Sequence, residues 1–200
     1  MWRVMDTQTS RRTPQATRAA IIDAAIEVAA EKGALGFTLD AVVARLPLSK
    51  GALLHHFPNK QVLLEGLIDH LAQMMVDEVL AEAARDPEPY GRNARAYLRV
   101  VVNDPVTPRD VSIDRAVLAA CAIRAPLARR WREWIQKVRV DDPTDPVGAD
   151  DALMLRLMAD GLWMSDLFGT HEVSREQRTA LLSLLTPGVQ LREGLAGGGA

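Results

Sequence analysis

The sequence predicts an all-α fold, and three observations support that prediction. Apolar residues recur with the three- and four-residue spacing of a helix along most of the 200 residues. Signals for strands are nearly absent, because β-branched residues rarely alternate with polar ones. Residues that favour helix ends, together with proline-rich polar segments, divide the chain into nine helical segments.

The composition is that of an ordinary globular protein with enough apolar material for a core. Hydrophobic residues make up 48% and charged residues 25%. The single cysteine, Cys121, excludes an internal disulfide and is typical of a reducing cytosol. Neither a membrane-spanning apolar run nor a signal peptide is visible. We therefore expect a cytoplasmic protein with no membrane partner.

The first two predicted helices are short. The first covers residues 15–32, and its apolar positions with helical spacing are Ile22, Ala25, Ile26 and Ala29. Gly33 follows at the position after a helix end, where glycine is favoured because it accepts a left-handed conformation. Thr38 is a suitable cap for a second helix that ends near Arg45.

Two further cap residues place the next helices. Ser49 caps a third helix that ends near Phe57. Within it, Leu53 and Phe57 lie four residues apart, so both can pack inward against the first helix. Asn59 caps a long fourth helix that continues to about Ala84.

Five more helices are predicted after the fourth. They cover about residues 90–102, 113–123, 126–140, 149–169 and 174–185. The final segment, "GLAGGGA", lacks the apolar content needed to fold. The sequence thus predicts a flexible basic arm at 1–14, a head of three short helices at 15–60, a body of six helices at 61–187 and a disordered tail at 188–200.

Three short helices followed by a long one are typical of a helix-turn-helix module that binds DNA. The second helix of such a motif enters the major groove with its N-terminal residues leading. Here that helix begins Ser49-Lys50-Gly51, so its small residues and free amides can approach the DNA backbone. Charge agrees with this, because residues 1–60 hold eight Lys or Arg against five Asp or Glu in a chain whose net charge is −2.

The residues predicted to contact double-stranded DNA share this face or flank it. Lys50 can reach a phosphate or a guanine edge, and Thr38 and Lys60 can clamp the backbone on either side. Each residue alone is equally well interpreted as a helix cap or a solvated charge, and their combination favours DNA binding. The predicted set is Arg11, Arg12, Thr38, Ser49, Lys50, Gly51, Ala52, His55 and Lys60.

A group of residues across positions 17–67 resembles the tetracycline-repressor (TetR) family of bacterial transcription regulators. The matching residues are Gly33, Phe37, Thr38, Ser49, Lys50, Gly51, Leu53, His56, Phe57 and Lys60. Near the C-terminus, "MADGLWMSDLFG" resembles family members that sense lipophilic, often cationic, drugs. The resemblance implies a homodimer joined through the last two long helices and a ligand cavity in the body. We expect no enzymatic activity and no cofactor, because no Gly-rich phosphate loop follows a strand and no nucleophile is paired with a base.

The sequence departs from the family pattern in and near the turn. The family usually has glycine where Pro47 stands, alanine where Val43 stands, and tyrosine at one or both of the positions of Leu54 and His55. Proline cannot take the left-handed conformation and pushes Leu46 out of the helical region. We therefore expect that the turn follows a different path or that the first motif helix ends earlier, and that Leu54 weakens the grip on phosphate.

The predicted dimer surface is a stripe on the eighth helix. Its members are Met154, Met158, Gly161, Ser165 and Phe168, and packing within one chain is the alternative interpretation. Two-fold symmetry has a geometric reason, since two recognition helices must lie about 34–36 Å apart to enter successive major grooves.

Aromatic residues are scarce, yet several tryptophans and methionines fall in the body, which suits a cavity for a small lipophilic molecule. A cationic ligand would also gain from a buried carboxylate such as Asp114, Asp160 or Asp166. The predicted ligand-binding residues are Leu118, Trp131, Trp134, Met158, Asp160, Trp163 and Met164.

No other chemistry is indicated. His55 and His56 are adjacent and point about 100° apart on a helix, so they do not form a metal site, and no nucleophile is paired with a base. The sequence predicts a ligand-responsive regulator, a repressor that binds a palindromic operator as a dimer and is released by a small lipophilic molecule. The alternative is a small-molecule-binding protein with a degenerate DNA-binding head.

Overall fold

The computed structural model describes residues 13–103, 107–144 and 146–183. Over these residues the chain forms helices and no strand, so the predicted all-α fold is confirmed. The helices are α1 (Pro14–Gly36), α2 (Leu39–Val43), α3 (Lys50–His56), α4 (Lys60–Ala83), α5 (Arg92–Asn103), α6 (Pro108–Ile123), α7 (Ala125–Gln136), α8 (Pro146–Phe168) and α9 (Arg175–Ser183). A 3-10 turn at Lys137–Arg139 continues α7.

The helix starts of the head are set by side-chain caps. Thr38, Ser49 and Asn59 each accept a hydrogen bond from the backbone amide three residues later, at 3.1, 3.1 and 3.0 Å. Each bond satisfies one of the amides that a helix leaves unpaired at its N-terminus. The three caps predicted from the sequence are therefore confirmed.

Gly33 interrupts α1. Its φ of 62° and ψ of −174° are non-helical, and a further helical turn follows as far as Gly36. Glycine takes this conformation without the steric penalty that a Cβ would cause. The predicted break at Gly33 is confirmed, although the chain resumes a helical turn beyond it.

Two helices begin earlier than predicted. Helix α6 begins at Pro108 rather than Ile113, because Thr107 and Asp110 form a reciprocal capping box around its first turn. The Asp110 amide donates to Thr107 Oγ1 at 3.2 Å, and the Thr107 amide donates to Asp110 Oδ2 at 3.1 Å. Helix α8 likewise begins at Pro146, since proline is tolerated in a first helical turn.

The largest apolar cluster joins head and body. It contains buried residues of α1, α2, α3 and α4 together with Ala116, Val117 and Ala120 of α6 and Leu127 of α7. The predicted inward packing of Leu53 and Phe57 is confirmed, since both are fully buried in this cluster. The three-helix head therefore packs on α4, α6 and α7 of the body through a continuous apolar surface.

The remainder of the body contains two smaller apolar clusters. One lies between α5, α8 and α9, and the other between α4, α5 and the 3-10 turn. Helix α9 has no buried residue and only covers the edge of the first of these clusters. Among the helices in the described part of the chain, none is both long and apolar enough to cross a membrane.

Candidate DNA-binding and ligand-binding sites

The turn between α2 and α3 contains Pro47 and no left-handed residue. Helix α2 ends at Val43, so the predicted end near Arg45 is wrong. The Arg45 and Leu46 amides donate to the carbonyls three residues before them, at 3.1 and 3.0 Å. Every described non-glycine residue has a negative φ. Pro47 was expected either to redirect the turn or to end the first motif helix earlier, and α2 does end earlier than predicted.

Neighbours of Pro47 anchor this turn to the rest of the head. Leu46 and Leu48 are half-buried and pack against the largest apolar cluster, whereas Pro47 between them is exposed. The Arg45 guanidinium forms an ion pair with Glu31 of α1. The proline turn is therefore held on both sides and still carries α3 in a defined position.

Helix α3 presents its N-terminal residues to solvent. Ser49, Lys50, Gly51 and His55 are exposed, while Leu53 on the opposite side is completely buried. Ala52 is half-buried beside them. The small residues at the start of α3 therefore lie where an approaching phosphate backbone would meet helix amides rather than bulky side chains.

Two predicted DNA-contacting lysines have protein partners. The Lys50 ammonium lies 2.7 Å from Asp40 Oδ1, and the two side chains are 55% and 74% exposed. The Lys60 ammonium donates to the Phe37 carbonyl at 2.6 Å and lies 5.7 Å from the centre of the Phe37 ring. Lys60 therefore ties the start of α4 to the residue before Thr38.

The remaining head residues differ in position. His55 is exposed, and its ring lies 5.5 Å from that of His56 in an edge-to-face arrangement. Leu54 is half-buried against the largest apolar cluster, so it packs partly within the head. Arg11 and Arg12 lie outside the described residues.

In the body, two aromatic side chains each donate to a carboxylate. The Tyr97 hydroxyl of α5 donates to Asp160 Oδ1 of α8 at 2.7 Å. The Trp163 indole of α8 donates to Asp114 Oδ2 of α6 at 2.8 Å. Burial raises the pKa of Tyr97 well above its usual range, and the charges of Asp160 and Asp114 raise it further. We call these four residues the body cluster.

The sequence alone missed Tyr97 as a member of this site. Its partners Asp160 and Asp114 lie 63 and 17 residues further along the chain, so the packing of α8 against both α5 and α6 brings them together. The available signal was weak, namely that Tyr97 is one of two tyrosines in a chain with few aromatic residues.

The other predicted ligand residues are spread over the body. Trp131 packs against the largest cluster, whereas Trp134 packs beside α4 and donates its indole N–H to Asp69 Oδ1 at 2.9 Å. Met158 is half-buried between α5, α8 and α9. Leu118 is half-buried on α6 and Met164 is exposed on α8. Of the three carboxylates predicted to be buried, Asp160 is exposed, Asp114 is half-buried, and Asp166 forms an ion pair with Arg178.

Helix α8 leaves an apolar stripe uncovered. Its exposed members are Leu153, Leu157, Met164 and Phe168, with exposed fractions of 49, 58, 37 and 53%. The predicted stripe is corrected in part. Ser165 is buried within the chain, where its hydroxyl exchanges hydrogen bonds with the backbone of His171, whereas Gly161 and Phe168 are exposed.

The fold and these sites define a class of protein, a helical DNA-binding regulator with a separate ligand-binding body. The head matches the family model "Bacterial regulatory proteins, tetR family" over residues 21–67. The body matches "Tetracyclin repressor-like, C-terminal domain" over residues 91–187. The chain belongs to the TetR family. It is therefore a transcription regulator with a DNA-binding helix-turn-helix and a ligand-binding C-terminal domain, and not an enzyme.

Solved structures agree with this assignment. A transcriptional regulator from Rhodococcus sp. Rha1 is 22% identical, with 90% of this chain and 97% of that chain covered and a TM-score of 0.64. A TetR-family member from Streptomyces coelicolor A3 is 25% identical, with coverage of 85% and 98% and a TM-score of 0.61. The multidrug binding protein EbrR in complex with ethidium is also 25% identical, with coverage of 87% and 99% and a TM-score of 0.61. No curated protein matches the chain.

Proposed function

We propose that this protein is a repressor that binds a palindromic operator as a homodimer and releases it when a lipophilic cation binds the body. The observation that carries the proposal is the orientation of α3. Its N-terminal residues Ser49, Lys50 and Gly51 face solvent while Leu53 locks its opposite side into the core. A helix held in this way can enter a major groove as a rigid element.

The proposed DNA contacts divide by role. Ser49, Gly51 and Ala52 bring the backbone of α3 close to a phosphate, and Lys50 exchanges Asp40 for a phosphate or a guanine edge. Thr38 and Lys60 lie at adjoining helix starts and clamp the same strand. His55 contacts the backbone, and the arm carries Arg11 and Arg12 to the DNA.

The decisive experiment measures binding to palindromic sequences from the upstream region of the protein's own gene over a range of salt concentrations. We expect Lys50→Ala to weaken binding about tenfold and to lower the slope of log affinity against log salt by about 1. Lys137→Ala, which removes a lysine from the body, is the matched control and should leave both quantities unchanged.

The outcome also separates the repressor from its alternative. If the folded protein bound none of these sequences at low salt, the repressor proposal would fail. A small-molecule-binding protein with a degenerate head would then be the better description. Equal salt slopes for the wild type and Lys50→Ala would instead contradict the contact assigned to Lys50.

The proposed dimer forms through α8 and α9. The uncovered stripe of Leu153, Leu157, Met164 and Phe168 supplies apolar area. Gly161 lies among these residues, and a Cβ at this position would meet no atom within 4 Å. A second copy could therefore approach closely there. In this arrangement residues 15–60 form the DNA-binding head and residues 61–187 the ligand-binding and dimerisation body, flanked by the arm at 1–14 and the tail at 188–200.

The proposed inducer site is the body cluster. Two carboxylates, Asp114 and Asp160, lie beside the aromatic rings of Tyr97 and Trp163, a combination that attracts an apolar cation. EbrR, at 25% identity, has been solved with ethidium, which is such a cation. The remaining proposed ligand contacts are Leu118, Trp131, Trp134, Met158 and Met164.

Ethidium titration tests this site directly. We expect ethidium to quench tryptophan fluorescence saturably, and Asp160→Asn to weaken its binding about tenfold because one carboxylate charge is lost. Asp77→Asn, an exposed aspartate on α4, is the matched control. Failure of ethidium and other lipophilic cations to bind would remove the cationic inducer and leave the DNA-binding proposal intact.

A further inference from the structure

A cavity lies where the head meets the body. It has a volume of about 200 Å³ and is enclosed by the end of α1, by α4 and by α6. Ala29 and Phe37 form its head wall, and Ala116, Val117 and Ala120 form its body wall. We call it the hinge pocket. It differs from the body cluster in every lining residue.

The mouth of the hinge pocket leaves large apolar side chains in water. Leu35, in the last turn of α1, is 94% exposed, and Ile123, the last residue of α6, is 74% exposed. Both line the pocket. An apolar chain lying between them would remove this surface from water, which is favourable.

Two cations line the same pocket. The Lys60 ammonium donates to the Phe37 carbonyl, and the Arg124 guanidinium donates to the Gln61 side chain at 2.8 Å. Both side chains line this pocket, Lys60 from the start of α4 and Arg124 from the residue between α6 and α7. Both partners are neutral, and over the described ranges neither cation forms an ion pair with a carboxylate. The pocket therefore combines an apolar interior with two cations whose own hydrogen-bond partners are neutral, and Gln61 in turn donates to Glu65 at 3.0 Å.

We propose that the hinge pocket binds an amphipathic anion, a molecule with one aliphatic chain and a carboxylate head. The chain would fill the apolar interior against Leu64 and Leu67, and the carboxylate would pair with Lys60 and Arg124. The volume is smaller than the 300–1,000 Å³ usual for drug-sized ligands. A narrow single chain therefore fits better than a flat polycyclic dye.

This site is separate from the proposed inducer site and takes a ligand of opposite charge. Its walls come from the head and the body, so an occupant would contact both at once. A carboxylate on Lys60 would also compete for the ammonium that holds the Phe37 carbonyl next to Thr38. The anion would thus act directly on the joint between the two parts of the molecule.

Calorimetric titration of the full chain with three ligands of equal length tests the proposal. The ligands are decanoate, decyltrimethylammonium and decanol, each below its micelle concentration. We expect one saturable decanoate site per protomer, with binding at least tenfold tighter than that of the cation or the alcohol. Equal or tighter binding of the cation would overturn the proposal, because the two positive groups would then contribute nothing.

Variants locate the site. Arg124→Gln and Lys60→Gln should each weaken decanoate binding about tenfold, whereas Lys137→Gln on the 3-10 turn and Asp160→Asn in the body cluster should not change it. If Lys60→Gln unfolds the head, Arg124→Gln carries the test, since its side chain bonds only to Gln61 among the described residues. Unchanged binding in Arg124→Gln would place decanoate elsewhere and refute the hinge site. None of these measurements requires DNA binding.

Discussion

At the scale of single residues, Asp86 forms the most deeply buried ion pairs among the described residues. Its side chain is 3% exposed and accepts hydrogen bonds from Arg95 and from Arg99, each at 2.8 Å. The Glu88 amide donates to the same carboxylate at 3.0 Å. Burial alone would raise the pKa of Asp86, but these hydrogen bonds outweigh it and hold the pKa well below the usual range. Asp86 thereby fastens the loop after α4 to α5.

Asp86→Asn should lower the free energy of unfolding at pH 7 by about 1–3 kcal/mol, because charged hydrogen bonds are lost and the charges of Arg95 and Arg99 no longer face this carboxylate. The folded-state pKa is depressed, so this stability is present above the unfolded pKa of about 3.9 and is lost as pH falls below it. Urea unfolding at several pH values should therefore show the difference from wild type shrinking below about pH 4. Asp77→Asn, an exposed control, should show little difference at any pH, and a constant deficit in Asp86→Asn would contradict the ionic role.

Asp40 is a second residue with a defined expected effect. It pairs with Lys50 at 2.7 Å and lies in the first turn of α2, next to the proposed DNA surface. Asp40→Asn should tighten operator binding several-fold at low salt, because it frees the Lys50 ammonium and removes a charge that repels phosphate. Asp23→Asn is the matched control, since it removes one exposed acid from α1. An equal gain in both variants would mean that net charge, and not the pair with Lys50, is responsible.

Residue-level features of the site were predictable where they depend on near neighbours in the chain. The caps at Thr38, Ser49 and Asn59 follow from side chains that reach amides three residues away. The Lys60 contact with the Phe37 carbonyl and the Tyr97 contact with Asp160 join residues 23 and 63 positions apart. Such contacts depend on how helices pack, and neither periodicity nor spacing specifies that.

At the scale of elements, the packing of Phe57, the residue after α3, and of α1 against α4 depends on a glycine. Gly66 of α4 is buried, and a Cβ at this position would lie 2.7 Å from Phe57 Cε1. Arg18 Nη2 and Ile22 Cδ1 of α1 would lie 3.3 Å from it. The absence of a side chain at Gly66 therefore lets Phe57 pack directly on α4.

Gly66→Ala should destabilise the protein by about 1–3 kcal/mol, because overpacking forces Phe57 to move. Moving Phe57 tilts α3, so operator affinity should fall with stability. Adding Phe57→Leu to Gly66→Ala should recover part of the lost stability and part of the lost operator affinity. A double-mutant cycle, measured by denaturation and by DNA binding, gives the coupling between the two positions. If the losses of stability and operator affinity in the two single variants simply added in the double variant, the contact between residue 66 and Phe57 would not set how the head packs on α4.

Helix boundaries show where local sequence signals compete. Helix α2 ends at Val43, two residues before the end that the apolar pattern predicted, and the Arg45 and Leu46 amides donate to carbonyls three residues back in the stretch before Pro47. At α6, the capping box of Thr107 and Asp110 adds a turn before the first apolar residue. The start of α6 therefore follows its capping box and not the apolar periodicity.

At the scale of the whole molecule, α4 connects the parts. Its first residue, Lys60, holds the head through Phe37, and its middle carries Asp69, whose carboxylate accepts hydrogen bonds from Arg130 and Trp134 of α7. Both the head and the body are therefore bonded to one continuous helix. A ligand that changes DNA affinity must bind two arrangements of these parts unequally.

The proposed dimer gives the last prediction. In a symmetric interface each residue near the two-fold axis meets its own copy, so a new charge there is buried and faces a like charge. Leu157→Glu, in the exposed stripe of α8, should therefore convert the dimer to a monomer in sedimentation velocity experiments. Leu80→Glu changes an exposed leucine on α4 and is the control that should remain dimeric.

Monomerisation should also lower the affinity for a palindromic operator, whereas a local packing defect on α8 should not. One head fills only one half-site, so a monomer loses the linked second contact and should bind a palindrome no more tightly than an isolated half-site. A dimeric Leu157→Glu protein with normal operator affinity would refute the α8 interface. A folded, monomeric Leu157→Glu protein should bind the half-site and the full palindrome with equal affinity. That result would show that the second head adds to operator affinity only when the α8 surface joins the two copies.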